Sequence, residues 1–137
     1  MAMTSLTWNY KSSYHLIACG IDAERVDRFI PYTAGDEHPM PFVFSEEEIR
    51  HCKKLDYPEK GFCAAFCSKE ALFKALSRPY NFPECELFFC GDDAWQDLKL
   101  STSMCNENRI HSAHARIQFF FYPSYMECLS AVYVFRE

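Results

Sequence analysis

From Phe62 to Leu76 the chain reads FCAAFCSKEALFKAL, a run without Gly or Pro in which large apolar residues return at the helical period. At about 100° per residue, Phe62, Phe66, Phe73 and Leu76 fall on one stripe, with Ala65 and Leu72 at its edge. Ala64, Ser68, Ala71 and Ala75 form a second face, whose small side chains let another element approach closely. Glu70 and Lys74 lie one turn apart on a flank of the aromatic stripe. Lys69 projects near the middle of that stripe, where a lysine either runs its stem out to water or meets an anion at the edge of the core. The pattern predicts a central α-helix.

The flanking patterns are shorter. His15 to Asp22 (HLIACGID) reads as an apolar strand ending in a glycine and a carboxylate. Val26 and Phe29 are then spaced for one side of a helical turn, and Arg25 and Arg28 for another. Pro31 to Pro41 is loop by composition. In FSEEEI, Ser45 is an N-cap with Glu48 three residues on, a capping box opening a helix. Lys53 to Lys60 reads as a turn, with Gly61 preceding the central helix. Beyond Leu76 the chain turns strand-like, with Glu84–Cys90 and Trp95–Ser101 joined by a hairpin turn at Gly91-Asp92-Asp93. After a polar loop, Ser103–Asn108, come His114–Tyr122 and Glu127–Phe135 around a Pro123-Ser124 turn. The predicted fold class is α+β, an antiparallel sheet packed on a central helix.

Composition narrows the setting. Residues 1–14 read as a polar lead-in without the apolar core of a signal peptide, and 15–137 as a single domain. An aromatic share of 17% argues for a packed core over disorder. A net charge of −5 argues against non-specific nucleic-acid binding, and no apolar run is long enough to span a membrane. Eight cysteines are scattered without a CxxC pair, so buried free thiols in a reducing cytoplasm are expected. Cys63 and Cys67, at i and i+4, lack a nearby histidine to complete a metal site, and His111 and His114 read as surface residues.

Chemistry gathers on Asp22 and Glu70. If the first strand packs on the central helix, the two carboxylates meet, and they repel unless a proton or a metal compensates. Two carboxylates suit Mg²⁺, which keeps waters and takes phosphate oxygens as its other ligands. Lys69 and Lys74 would neutralise further phosphate charge. The competing reading is structural, with Glu70 and Lys74 as an i,i+4 ion pair worth about 0.3–0.5 kcal/mol and Asp22 as a turn residue.

Taken together, the motifs resemble the 4'-phosphopantetheinyl transferases, closest to the short, holo-acyl-carrier-protein-synthase type. The family's G-x-D with an arginine six residues after the Asp is matched by Asp22 and Arg28. Its F-x-x-K-E-A-x-x-K-A is matched by Phe66, Lys69, Glu70, Ala71, Lys74 and Ala75, and its Thr/Ser-x-x-Glu by Ser45 and Glu48. The resemblance implies Mg²⁺ held by Asp22 and Glu70, and transfer of phosphopantetheine from coenzyme A to a serine of an acyl or peptidyl carrier protein. It further implies Lys69, Lys74 and Arg78 on coenzyme A phosphates, Glu70 and Lys74 in proton transfer, and Arg25 and Arg28 facing the acidic carrier. Members of this length usually form homotrimers.

The match covers residues 15–76 best. Ser77-Arg78-Pro79-Tyr80 stands where the family often has a glycine-rich turn, Ala65 where it often has arginine, and QFFFYPS lacks its histidine. Two readings follow. Retention of Asp22, Glu70 and both lysines favours an active transferase, and the altered nucleotide end a family member that has lost catalysis and serves as a binding or assembly domain.

Overall fold

The computed structural model describes residues 15–33, 43–77, 85–89, 93–99, 113–122 and 126–136, of which 93–99 and 113 are described by backbone alone. Four strands form one sheet: β1 (His15–Arg25), β2 (Asp93–Lys99), β3 (Ala113–Phe121) and β4 (Glu127–Arg136). Their order is β1-β4-β3-β2 and every neighbouring pair is antiparallel. A 3₁₀ helix (Val26–Tyr32) follows β1, and two α-helices, α1 (Glu46–Lys53) and α2 (Pro58–Leu76), precede β2. The α+β class is borne out. Expectations for residues 1–14, most of the Pro31–Pro41 loop, Arg78, Gly91-Asp92, Cys90, Cys105, Ser103–Asn108, His111 and Pro123-Ser124 lie outside the described residues.

Helix α2 is buried along most of its length because it serves two surfaces at once. The aromatic stripe meets the chain around it: the Phe66 ring packs on Phe29 of the 3₁₀ helix at 5.5 Å between centroids, and Phe62 on Phe44 at 5.1 Å. The small-residue face meets the sheet, where the Ser68 and Ser130 hydroxyls share a hydrogen bond of 2.9 Å. Gly20 of β1 lies closest. A Cβ there would stand 2.1 Å from Ala71 O and 2.8 Å from Ala75 N, so only glycine lets the strand cross at this depth.

Several predicted boundaries move. Helix α2 begins at Pro58, one turn before Phe62, because proline suits the first helical turn. Gly61 therefore sits inside it, where a Cβ would meet Leu55 Cδ1 at 2.6 Å. The first strand runs on to Arg25, and the 3₁₀ helix carries the chain through Pro31 to Tyr32. Val26 and Phe29 share its buried side as their spacing predicts.

Glu84–Cys90 is not a strand over its described residues, 85–89. The alternation is real, with Cys85, Leu87 and Phe89 buried and Phe88 exposed. The backbone partners, however, are side chains of α1 rather than another strand: Leu87 N donates to Glu48 Oε2 at 2.9 Å, and His51 Nε2 pairs with Phe89 O at 3.2 Å. Among the described residues, 85–89 do not pair with β2, and β1 takes the fourth place in the sheet, beside β4.

The depth at which β1 crosses α2 gives a direct test. Gly20→Ala is expected to cost about 1–3 kcal/mol or more in urea unfolding, since backbone rather than a yielding side chain blocks the added methyl. A loss below about 0.5 kcal/mol would mean that the strand stands off the helix.

Candidate functional site

Because successive side chains of a strand alternate, Gly20, Asp22 and Glu24 point to the α2 side of β1 while Ile21 and Ala23 face outward. The close crossing at Gly20 therefore carries Asp22 onto the C-terminal half of α2. Asp22 is nearly buried, at 8% exposure. Its Oδ1 accepts a hydrogen bond from Lys74 Nζ at 2.7 Å, and the same ammonium donates to Ile21 O at 3.2 Å. Asp22 Oδ2 is buried with no hydrogen-bond partner among the described residues. A buried carboxylate oxygen left unpaired is costly, and it marks the side on which this group is open to a ligand.

Two more carboxyl groups crowd the same place. Burial and the charge of Asp22 raise the proton affinity of Glu70, while Lys74 and Arg28 oppose the rise. Glu70 thus lies within electrostatic reach of Asp22. Glu24 carries no motif signal and was missed, although its place two residues after Asp22 puts it on the same face. Its pKa is pushed up to about 7, first by burial and then by the neighbouring Asp22 carboxyl. Arg28 opposes this as the partner of Glu24 in an ion pair. The Arg28 guanidinium also lies over the rings of Phe66, at 5.2 Å, and Phe29, at 5.7 Å.

Three carboxyl groups thus meet two cations, Lys74 and Arg28. Among the described residues, no three His, Cys, Asp or Glu side chains are grouped as a metal-holding set. The donor chemistry nonetheless fits a hard divalent cation on Asp22 and Glu70. Oxygen ligands, an orphaned Asp22 Oδ2 and mutual repulsion that a cation would relieve all favour it.

The remaining candidates are placed elsewhere. Arg25 ends β1 in an exposed ion pair with Asp27 at 2.9 Å, on the rim of a groove of about 250 Å³ floored by Val26, Ile30 and Met126. Cys63 and Cys67 are buried and free, and their thiols donate to Glu24 O and Asp22 O at 3.7 and 3.1 Å. These thiols tie α2 to the strand that carries the carboxylates.

Lys69 takes the second of its two predicted courses and meets an anion, inside the core and away from the carboxyl cluster. Its fully buried ammonium donates to Glu48 Oε1 at 2.6 Å and to Val43 O at 2.5 Å. Burial lowers its pKa, against the opposing pull of Glu48. Glu48 completes the capping box at Ser45 as its spacing predicts, and with its second oxygen holds Leu87 N. A lysine held in this way ties α2 to α1 through Glu48.

Comparison with known proteins bears on this geometry. The family model described as the 4'-phosphopantetheinyl transferase superfamily matches residues 18–125. No curated protein sequence matches the chain. Among solved structures, the crystal structure of holo-ACP-synthase from Plasmodium yoelii is similar over 92% of this chain and 99% of that one. The TM-score is 0.53 at 15% sequence identity, a likeness of fold.

The Glu48–Lys69 pair predicts a non-additive stability pattern. Lys69→Met is expected to cost about 3–5 kcal/mol by leaving a buried carboxylate uncompensated. Lys69→Met combined with Glu48→Gln should recover much of that loss in urea unfolding at pH 7. A double variant no more stable than Lys69→Met would contradict the ion-pair account.

Proposed function

Because this chain belongs to the 4'-phosphopantetheinyl transferase superfamily, we propose that it transfers the 4'-phosphopantetheine group of coenzyme A to a serine hydroxyl of an acyl or peptidyl carrier protein, with Mg²⁺ as cofactor. The observation that carries this reading is the buried Asp22 with one oxygen unpartnered, set against Glu70 and Lys74. Asp22 and Glu70 would hold the cation, and when bound it supplies Lewis-acid charge to the pyrophosphate oxygens of coenzyme A.

The chain's own residues account for the rest. Glu70, whose burial raises its proton affinity, is the candidate to take the serine proton. The hydroxyl oxygen then forms a bond to the β-phosphorus, the bond to the bridging oxygen breaks, and 3',5'-ADP leaves. Lys74, exposed and held at Asp22, stands to neutralise or protonate the leaving phosphate. Arg78 would meet the nucleotide phosphates. Arg25 and Arg28, each half-exposed, would face the acidic carrier.

Assembly and setting follow the same reading. The outer face of the sheet carries exposed Ile17 and Ile21 (61%), with Leu129, Ala131 and Tyr133 only half-buried beside them. An apolar face of this kind supports an interface between copies, and we take the assembly to be a homotrimer. Six free cysteines among the described residues suit the reducing cytoplasm. No helix among the described residues is long and apolar enough to cross a membrane.

One observation favours the reading of a degenerate binding or assembly domain. Ser77 closes α2 at φ 58°, a left-handed conformation that suits glycine, where the family often has a glycine-rich turn. A side chain there hinders close backbone approach to a nucleotide.

The experiment that separates the readings is incubation with coenzyme A, Mg²⁺ and a panel of apo carrier proteins, followed by intact mass. Transfer is expected for the wild type, falling about 10²–10⁴-fold in Glu70→Gln, the range for loss of an acid–base group. Calorimetry should show coenzyme A binding strengthened by Mg²⁺ in the wild type and indifferent to it in Glu70→Gln. Metal-dependent binding without transfer to any carrier would support the degenerate domain, and metal-independent curves in both proteins would contradict the cation site.

A further inference from the structure

Cys63, Cys67 and Ala71 occupy every fourth position of α2, and Glu24, Asp22 and Gly20 every second position of β1. Four residues of a helix advance about 6 Å and two residues of a strand about 6.6 Å, so the two series can keep step over three contacts. They do so with helix and strand running in opposite directions. Gly20 meets Ala71 O, the Cys67 thiol donates to Asp22 O at 3.1 Å, and the Cys63 thiol to Glu24 O at 3.7 Å. The spacing opens along this ladder, from backbone on backbone at Gly20 to a long thiol contact at Glu24.

The middle contact carries the site residue. Among the described residues β1 ends the strand order and pairs with β4 alone, so its depth on α2 is set by what the helix offers it. Glycine brings the strand in at residue 20, but a close approach does not by itself stop the next residues from lifting away. At Asp22 the buried Cys67 sulfur fills the gap and donates to the main-chain carbonyl. The same sulfur lies 3.4 Å from Cys128 O of β4, so one thiol reaches both strands from the helix. With its main chain held, the Asp22 side chain sets Oδ1 on Lys74 and leaves Oδ2 unpartnered among the described residues.

We propose that Cys67 is a positioning residue for the cation site, acting through the Asp22 main chain. Glu70 stands three residues farther along the same helix, so the thiol and the second carboxylate share one rigid element. A shift of β1 relative to Cys67 is therefore a shift of Asp22 relative to Glu70, and it changes the gap that a cation must span. Cysteine suits the place because it is small, packs as an apolar side chain and still carries a weak donor. The thiol touches neither cation nor substrate. The inference rests on the divalent-cation reading of Asp22 and Glu70.

The test uses Mn²⁺ alone as probe, with free Mn²⁺ read by electron paramagnetic resonance, on the full chain. Cys67→Ala and Cys67→Val both remove the donor, and the second fills the space, so the test stands if the smaller side chain unsettles the fold. Each is expected to weaken Mn²⁺ binding on the order of tenfold, the lower end of what loss of an outer partner costs a metal site. Cys67→Ser should recover most of that loss, because a hydroxyl donates to the same carbonyl. Ser68→Ala breaks the neighbouring α2–β4 hydrogen bond with Ser130 and should leave Mn²⁺ binding as it was. A thermal melt of each variant checks that it is folded at the assay temperature. Unchanged binding in either folded donorless variant would overturn the positioning role and leave the cation site standing. Equal weakening in Cys67→Ser, or in Ser68→Ala, would mean general loosening of the helix and overturn it as well. If the wild type does not bind Mn²⁺, the cation reading falls and the positioning role with it.

Discussion

Strand β1 and helix α2 touch backbone to backbone at Gly20, and the chemistry of the molecule hangs on that contact. Ala71 and Ala75 keep the helix surface flat there, and glycine keeps the strand flat opposite them. Two residues on, the same strand face presents Asp22, already at the depth of Lys74 Nζ, with Glu70 on the next ridge of the helix. A strand held even a side chain's width farther out would leave Asp22 solvated and Glu70 an ordinary surface acid. Burial is what couples the three carboxyl groups, because low polarity strengthens their mutual repulsion.

A second constraint sits at the other end of the core. Glu48 caps α1, holds Leu87 N and receives the buried ammonium of Lys69, so three segments distant in sequence are tied at one carboxylate. This pair lies next to Glu70 in sequence, yet it belongs to a different job. Successive residues of a helix point about 100° apart, so Lys69 faces the loops around Val43 and Leu87 while Glu70 faces β1.

Much of this was legible in the sequence. The stripe of Phe62, Phe66 and Leu76 and the small face of Ala64, Ser68 and Ala71 identify α2 and both of its contacts, since periodicity reports burial directly. The meeting of Asp22 with Glu70 follows once the small face is matched to a strand ending in Gly-Ile-Asp. What was not legible depends on partners far along the chain. Cys85, Leu87 and Phe89 alternate as a strand does, but the groups that satisfy their backbone are Glu48 and His51. Lys69 and Glu48 each had a sufficient local account, as an odd lysine and as a cap, and nothing local joins them. Glu24 was hidden because a lone acid near two arginines reads as solvated surface.

The proposed divalent-cation site on Asp22 and Glu70 depends on the close crossing at Gly20. The most direct measurement is anomalous diffraction from crystals of the protein soaked in Mn²⁺ and coenzyme A. The account predicts an anomalous peak bridged by the Asp22 and Glu70 carboxylates, with pyrophosphate oxygens on its open side and Lys69 still paired with Glu48. Coenzyme A bound with no metal peak between those two carboxylates, or with the peak on other residues, would contradict it.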